Sequence, residues 1–153
     1  MNTENILFEL TFDTRFWDRA PGVTVHVDGV THFQDLLPMD QYQVRFRQQL
    51  EFGKTHTLCI DRWNKTDDQC QNFDSVLNDQ ITVLRQVCID GVDLANVVHT
   101  RSYYYPQYSR AYSANRELEN EVLGETWFGH NGQWVLEFRS PVWQWLIEDI
   151  WNG

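Results

Sequence analysis

The chain has 153 residues, enough for one domain with a sizeable core. Twelve Lys and Arg against 22 Asp and Glu leave a net charge of −10, which repels phosphate backbones and argues against nucleic-acid binding. No apolar run approaches the roughly 20 residues of a membrane span, which argues against membrane insertion. The first residues lack the basic start and long apolar run of a signal peptide, so the expected product is soluble and made in a cytoplasm. Cys59, Cys70 and Cys88 are odd in number and lack C-x-x-C spacing, which indicates neither a disulfide framework nor a zinc site.

In chain order, Ile6, Phe8, Leu10 and Phe12 alternate as in a strand with one buried face. Val23 to Val27, Asp28-Gly29 and Val30 to Phe33 predict a hairpin closed by a type I′ turn. Tyr42 to Phe52 alternates apolar and polar residues, the pattern of an antiparallel strand facing solvent on one side. Gly53-Lys54 then turns the chain into a strand over Thr55 to Trp63. A polar loop, Asn64 to Gln80, leads into Ile81 to Ile89, read as a central strand. Its alternation sets Ile81, Val83, Val87 and Ile89 on one face, with Arg85 among them. Asp90-Gly91 supplies another sharp turn.

Beyond Leu94 the pattern reads as irregular, with a tyrosine-dense loop at Tyr103 to Tyr108. Glu125 to Phe128 and Gln133 to Phe138 read as a terminal hairpin. Ser140 is placed to cap a short helix at about 141–151, with Pro141 in its first turn. Val142, Trp145, Leu146 and Ile150 then share one face. Seven to nine short strands and one terminal helix predict an all-β fold over residues 1–153. The expected form is a single antiparallel β-sandwich, jelly-roll-like, with a short C-terminal helix.

Four chemistries compete for the site. The five histidines form no H-x-x-x-H or H-E-x-x-H pair, and no phosphate loop or G-x-S-x-G elbow is present, so the expectation is no enzyme. Acidic residues could still pair across a sugar bond, but no spacing selects a pair. Asp67, Asp68, Asp74 and Asp79 crowd one loop and offer the hard oxygen donors calcium requires. Their spacing departs from the D-x-[DN]-x-[DN]-G pattern, and a solvated polar loop has the same composition. For carbohydrate, Trp63 and the ring-rich Tyr103, Tyr104, Tyr105 and Tyr108 offer flat faces to sugar C–H groups; packing back on the sandwich is the competing role. For assembly, five Trp fall between Trp127 and Trp151. A short helix cannot bury Trp143, Trp145 and Trp151 on one side, so at least one is expected to meet another face, either the neighbouring sheet or another subunit, and a protein interface is the favoured reading.

Three segments carry a family resemblance: Lys65 to Gln69 running to Asn78 to Ile81; Val87 to Leu94 with Tyr103-Tyr104; and Gly129 to Leu146. They resemble small β-sandwich proteins of tailed, T4-like cyanobacterial phages, which look like carbohydrate-binding modules, including calcium-dependent xylan-binding types. The resemblance implies a non-catalytic virion structural protein, tail- or capsid-associated, made in the host cytoplasm. Its partners would be other virion proteins or further copies of itself. Asp67 and Asp68 carry over as cation ligands. The alternative it implies is a calcium-dependent module that binds host surface polysaccharide.

Overall fold

The computed structural model describes residues 2–65, 80–108 and 117–151. The elements run β1 (Thr3–Arg15), β2 (Gly22–Val27), β3 (Val30–Leu36), β4 (Asp40–Glu51), β5 (Thr55–Trp63), β6 (Ile81–Ile89) and β7 (Val92–Asp93). Then follow α1 (Ala95–Arg101), β8 (Ser102–Pro106), β9 (Val122–Leu123), β10 (Trp127–Phe128) and β11 (Gly132–Arg139). The described chain ends in α2 (Val142–Trp145) and a π-helical turn, Leu146–Trp151. One sheet has the order β10-β6-β1-β4, with β7 also on β6; the other runs β3-β2-β5-β11-β8-β9. All pairings are antiparallel. The fold is therefore the antiparallel β-sandwich that the alternation predicts. Among the described residues no helix is long and apolar enough to cross a membrane.

The core lies between the sheets because β1, β2, β5, β6 and β11 turn alternate residues inward, while β4 buries only Val44 and Leu50 and β3, at a sheet edge, buries none. Ile6, Phe8, Leu10 and Phe12 of β1 face Val23, Val25 and Val27, Leu58 and Ile60, and Trp134, Leu136 and Phe138. Two ring contacts bridge the layers. Phe8 meets Phe138 edge-on at 5.9 Å, and Tyr104 stacks on Phe128 at 4.5 Å. Such pairs add about 0.5–1.5 kcal/mol each beyond their burial. Both aspartate-glycine turns have the expected backbone: φ is 51° and 81° at Asp28-Gly29, and 52° and 82° at Asp90-Gly91.

Strand β6 departs from simple alternation. Thr11 pairs with Gln86 but Phe12 pairs with Leu84, so Arg85 is an extra residue in a β-bulge. The buried face is Thr82 and Leu84 before the bulge, then Val87 and Ile89 after it. Ile81 and Val83, expected inside with Val87 and Ile89, are half-buried on the other side. A single inserted residue exchanges the two faces.

Four further expectations are corrected. Directly after Leu94 the chain is regular as far as Pro106, forming α1 and β8, and Tyr103 to Tyr105 pair with Val135 to Gln133 in β11. The proposed terminal hairpin does not form, because β10 joins β6 in one sheet while β11 lies between β5 and β8 in the other. Residues 129–131 therefore cross between layers. Ser140 does not cap the helix: Pro141 precedes α2, and the Ser140 hydroxyl donates to Glu4 Oε2, which also accepts from the Val142 N–H at 2.8 Å. The described residues hold eleven strands against the seven to nine expected, three of them two residues long.

Deleting Arg85 removes the extra residue and leaves Thr82, Leu84, Val87 and Ile89 in plain alternation on the buried face. That deletion should fold and melt close to the native chain, whereas deleting Cys88 must misplace Val87 or Ile89 and should lower the melting temperature sharply. Arg85→Ala loses only the 3.0 Å ion pair with Asp13, worth about 0.2–1 kcal/mol at the surface. Thermal unfolding followed by circular dichroism compares the variants; loss of folding in the Arg85 deletion together with native-like melting of the Cys88 deletion would refute the bulge.

Candidate functional site

Strands that bury one face must show the other. Across β2, β5, β11 and β8 the register sets Thr24 beside Asp61, Asp61 beside Gln133, and Gln133 beside Tyr105. The next row holds His26, Cys59, Val135 and Tyr103. These residues form the outer face of the six-stranded sheet.

The side chains on this face are tied together. Asp61 stands in the middle, accepting from His26 Nε2 at 3.1 Å through Oδ2 and from Gln133 Nε2 at 2.8 Å through Oδ1. With both oxygens engaged, the carboxylate is held at a fixed orientation while remaining partly open to solvent. Trp63 Nε1 donates to Thr24 Oγ1 at 3.1 Å. The Trp63 ring lies over Gly22, where an added Cβ would come within 2.5 Å of it. Only a residue without a side chain admits the ring in this position. At the other side, Tyr103 and Tyr105 stack at 6.4 Å. Burial, followed by the charge of Glu121, holds the Tyr105 phenol protonated above the ordinary range. Strand spacing sets Trp63 and Tyr105 roughly 12 Å apart, Cα to Cα, with the Asp61 group between them.

Beneath one end of the face lies a buried polar knot. Arg62, 2% exposed, donates to Asn131 Oδ1 at 2.9 Å and to Gln80 O at 2.6 Å. Asn131 also accepts from Lys65 N and donates to Lys65 O, both at 2.9 Å. Gln80 Nε2 donates to Arg19 O and Asn64 O at 2.7 and 3.1 Å. Lys65 and Gln80 are thereby anchored to one another's surroundings beside the sheet.

The expected site residues divide. Trp63, Tyr103 and Tyr105 share the outer face. Tyr104 does not: it is 2% exposed, its hydroxyl donates to His130 O, and burial raises it far above the ordinary phenol range. Alternation in β8 puts it in the core, so it offers no ring to a ligand. Tyr108 lies beyond β8, half-buried against His130 at 4.7 Å, its hydroxyl donating to Glu119 O. Trp145, expected at an interface, is 6% exposed and packs on Phe138; the helix turns it into the core with Val142 and Leu146. Trp143 and Trp151 are exposed and meet edge to face at 6.2 Å. Asp67, Asp68, Asp74 and Asp79, the expected calcium ligands, lie outside the described residues. Among the described residues no three His, Cys, Asp or Glu gather as a metal site. Sequence reading missed Thr24, His26, Asp61 and Gln133, although period-two positions opposite Val25, Ile60 and Trp134 mark them.

No protein-family model matches the chain, and no curated protein matches it. Among solved structures it is similar to vCBM60, a carbohydrate-binding module, in complex with galactobiose. The TM-score is 0.49 at 11% identity, covering 87% of this chain and 97% of that one. A likeness of that degree fixes no residue of the site.

The face also makes a chemical prediction. Burial, with help from the Asp61 charge, pushes the Cys59 thiol up to about 11. At pH 8 Cys59 should resist alkylation in the folded protein and react only on unfolding. Mass spectrometry after iodoacetamide treatment checks this; rapid labelling of native Cys59 would contradict the burial of that row.

Proposed function

We propose that the chain is a non-catalytic carbohydrate-binding module that takes its ligand on the outer face of the six-stranded sheet. The observation that carries this reading is Asp61, held by His26 and Gln133 between Trp63 and the Tyr103–Tyr105 pair. Sugars have apolar C–H faces and a rim of hydroxyls. Aromatic rings accept the faces, and fixed carboxylate and amide groups accept or donate to the rim. A preformed polar strip also limits the ordering cost of binding. Calcium belongs to this reading through Asp67, Asp68, Asp74 and Asp79, and binding measured with calcium and then with chelator tests that part separately.

A second reading has its own support. Trp143 and Ile147 are 46% and 47% exposed on the C-terminal turn, an aromatic and aliphatic pair suited to a protein contact. A virion structural protein would use that surface to join other particle proteins or further copies. Sedimentation of the purified chain as a monomer, with its absence from washed particles, would remove this reading.

The first reading predicts binding to an insoluble or soluble neutral polysaccharide in an affinity-electrophoresis screen. Tyr105→Ala and Asp61→Ala should each weaken binding about tenfold or more. Tyr105 is 38% exposed and its loss should leave the melting temperature close to native. Full retention of binding in both variants would place the ligand elsewhere.

A further inference from the structure

The sheet face does not stop at Tyr103. Continuing the β8–β11 register brings Arg101 opposite Glu137, and Thr100, Arg101, Tyr103 and Glu137 line an open groove of about 470 Å³. A second groove, about 390 Å³, shares Thr100 and Arg101 and runs on between α1 and the C-terminal turn. Its walls include Asn96, Val97, Ile150 and Trp151. The two hollows therefore adjoin at Thr100 and Arg101, and together they make a track that starts beside the stacked tyrosines and ends on an exposed tryptophan.

The walls of this track are firm. Arg101 Nη2 donates to Asp149 O at 3.1 Å and so ties the end of α1 to the C-terminal turn. Thr100 Oγ1 donates to Asn96 O at 2.8 Å. Trp143 meets Trp151 edge to face, bracing a ring that is 56% exposed.

We propose that this track is an extended subsite of the same binding surface, and that the ligand is a neutral linear glycan bound lengthwise. The inference rests on the carbohydrate-binding reading. Three features select the ligand chemistry. Rings stand at both ends, Tyr103 with Tyr105 and then Trp151, as needed for sugar faces at separated positions along one chain. Between them Arg101 donates, Glu137 accepts, and Asn96 does both, which suits hydroxyl groups. Arg101 and Glu137 carry opposite charges, while Asp61 is the anion at the centre of the sheet face; a uronate or sulfated chain would meet these carboxylates in a protein of net charge −10. The open ends of the track admit the middle of a chain as readily as its terminus.

Isothermal titration of the whole chain with disaccharides and hexasaccharides of β-linked galactan, xylan and glucan tests this. For the sugar type that binds, the hexasaccharide should bind about tenfold or more tighter than the disaccharide. Trp151→Ala should bring that ratio to about one, and Arg101→Gln on the facing wall should lower it in the same direction. Tyr105→Ala should weaken both ligands and keep the ratio. A ratio unchanged in Trp151→Ala and Arg101→Gln overturns the extended subsite, while loss in Tyr105→Ala leaves the sheet-face reading standing. Tighter binding of oligouronates than of neutral chains overturns the ligand class alone. No binding by the native chain overturns the subsite and the reading beneath it.

Discussion

The burial of Trp134 governs the functional face. The indole is fully buried at the middle of β11, paired with Ile60 on one side and Tyr104 on the other. A strand has a period of two, so burying these three forces Asp61, Gln133 and Tyr105 outward in one row. A slip of one residue would bring Asp61 and Gln133 into the core and send Trp134 into water, at a cost no turn could offset. The register that the core demands therefore fixes the spacing of the polar strip and its rings. In this sense the hydrophobic effect positions the groups that would read a sugar.

Polar contacts then lock the margins that burial alone leaves loose. Arg62 continues the inward row of Leu58 and Ile60, and its charge is met by Asn131 and the Gln80 carbonyl. Removing one partner of such a buried charge costs far more than the contact adds, which makes the knot a strong constraint on local geometry. At the opposite end Glu4 accepts from Ser140 and Val142, fastening the C-terminal turn to the first strand. That turn carries Trp151, so the edge of the track is set by a contact across nearly the whole chain.

The sandwich was legible because its long strands obey one rule. Ile6 to Phe12, Tyr42 to Phe52 and the two Asp-Gly turns announce their faces locally. Three kinds of information were not local. The bulge at Arg85 depends on pairing with Thr11 and Phe12, and nothing within Ile81 to Ile89 marks it. The separation of Trp127-Phe128 from β11 depends on which sheet has a free edge, so a sequence-adjacent hairpin looked sufficient. Tyr103 to Tyr105 read as a loop because Pro106 follows them and helix α1 hides the strand's start. The site was half legible for the same reason. Aromatic residues stand out in a sequence, and Trp63, Tyr103 and Tyr105 were found; His26, Asp61 and Gln133 acquire meaning only when three distant strands align them.

The most direct test of the account is chemical-shift mapping of the amide groups during titration with a neutral β-linked oligosaccharide. The predicted result is a set of perturbations on Thr24, His26, Asp61, Gln133, Tyr103 and Tyr105, with β1 and β4 unmoved. Perturbations centred on β1, β4 and β6, or none at saturating sugar, would contradict the claim that this sheet face is the binding surface.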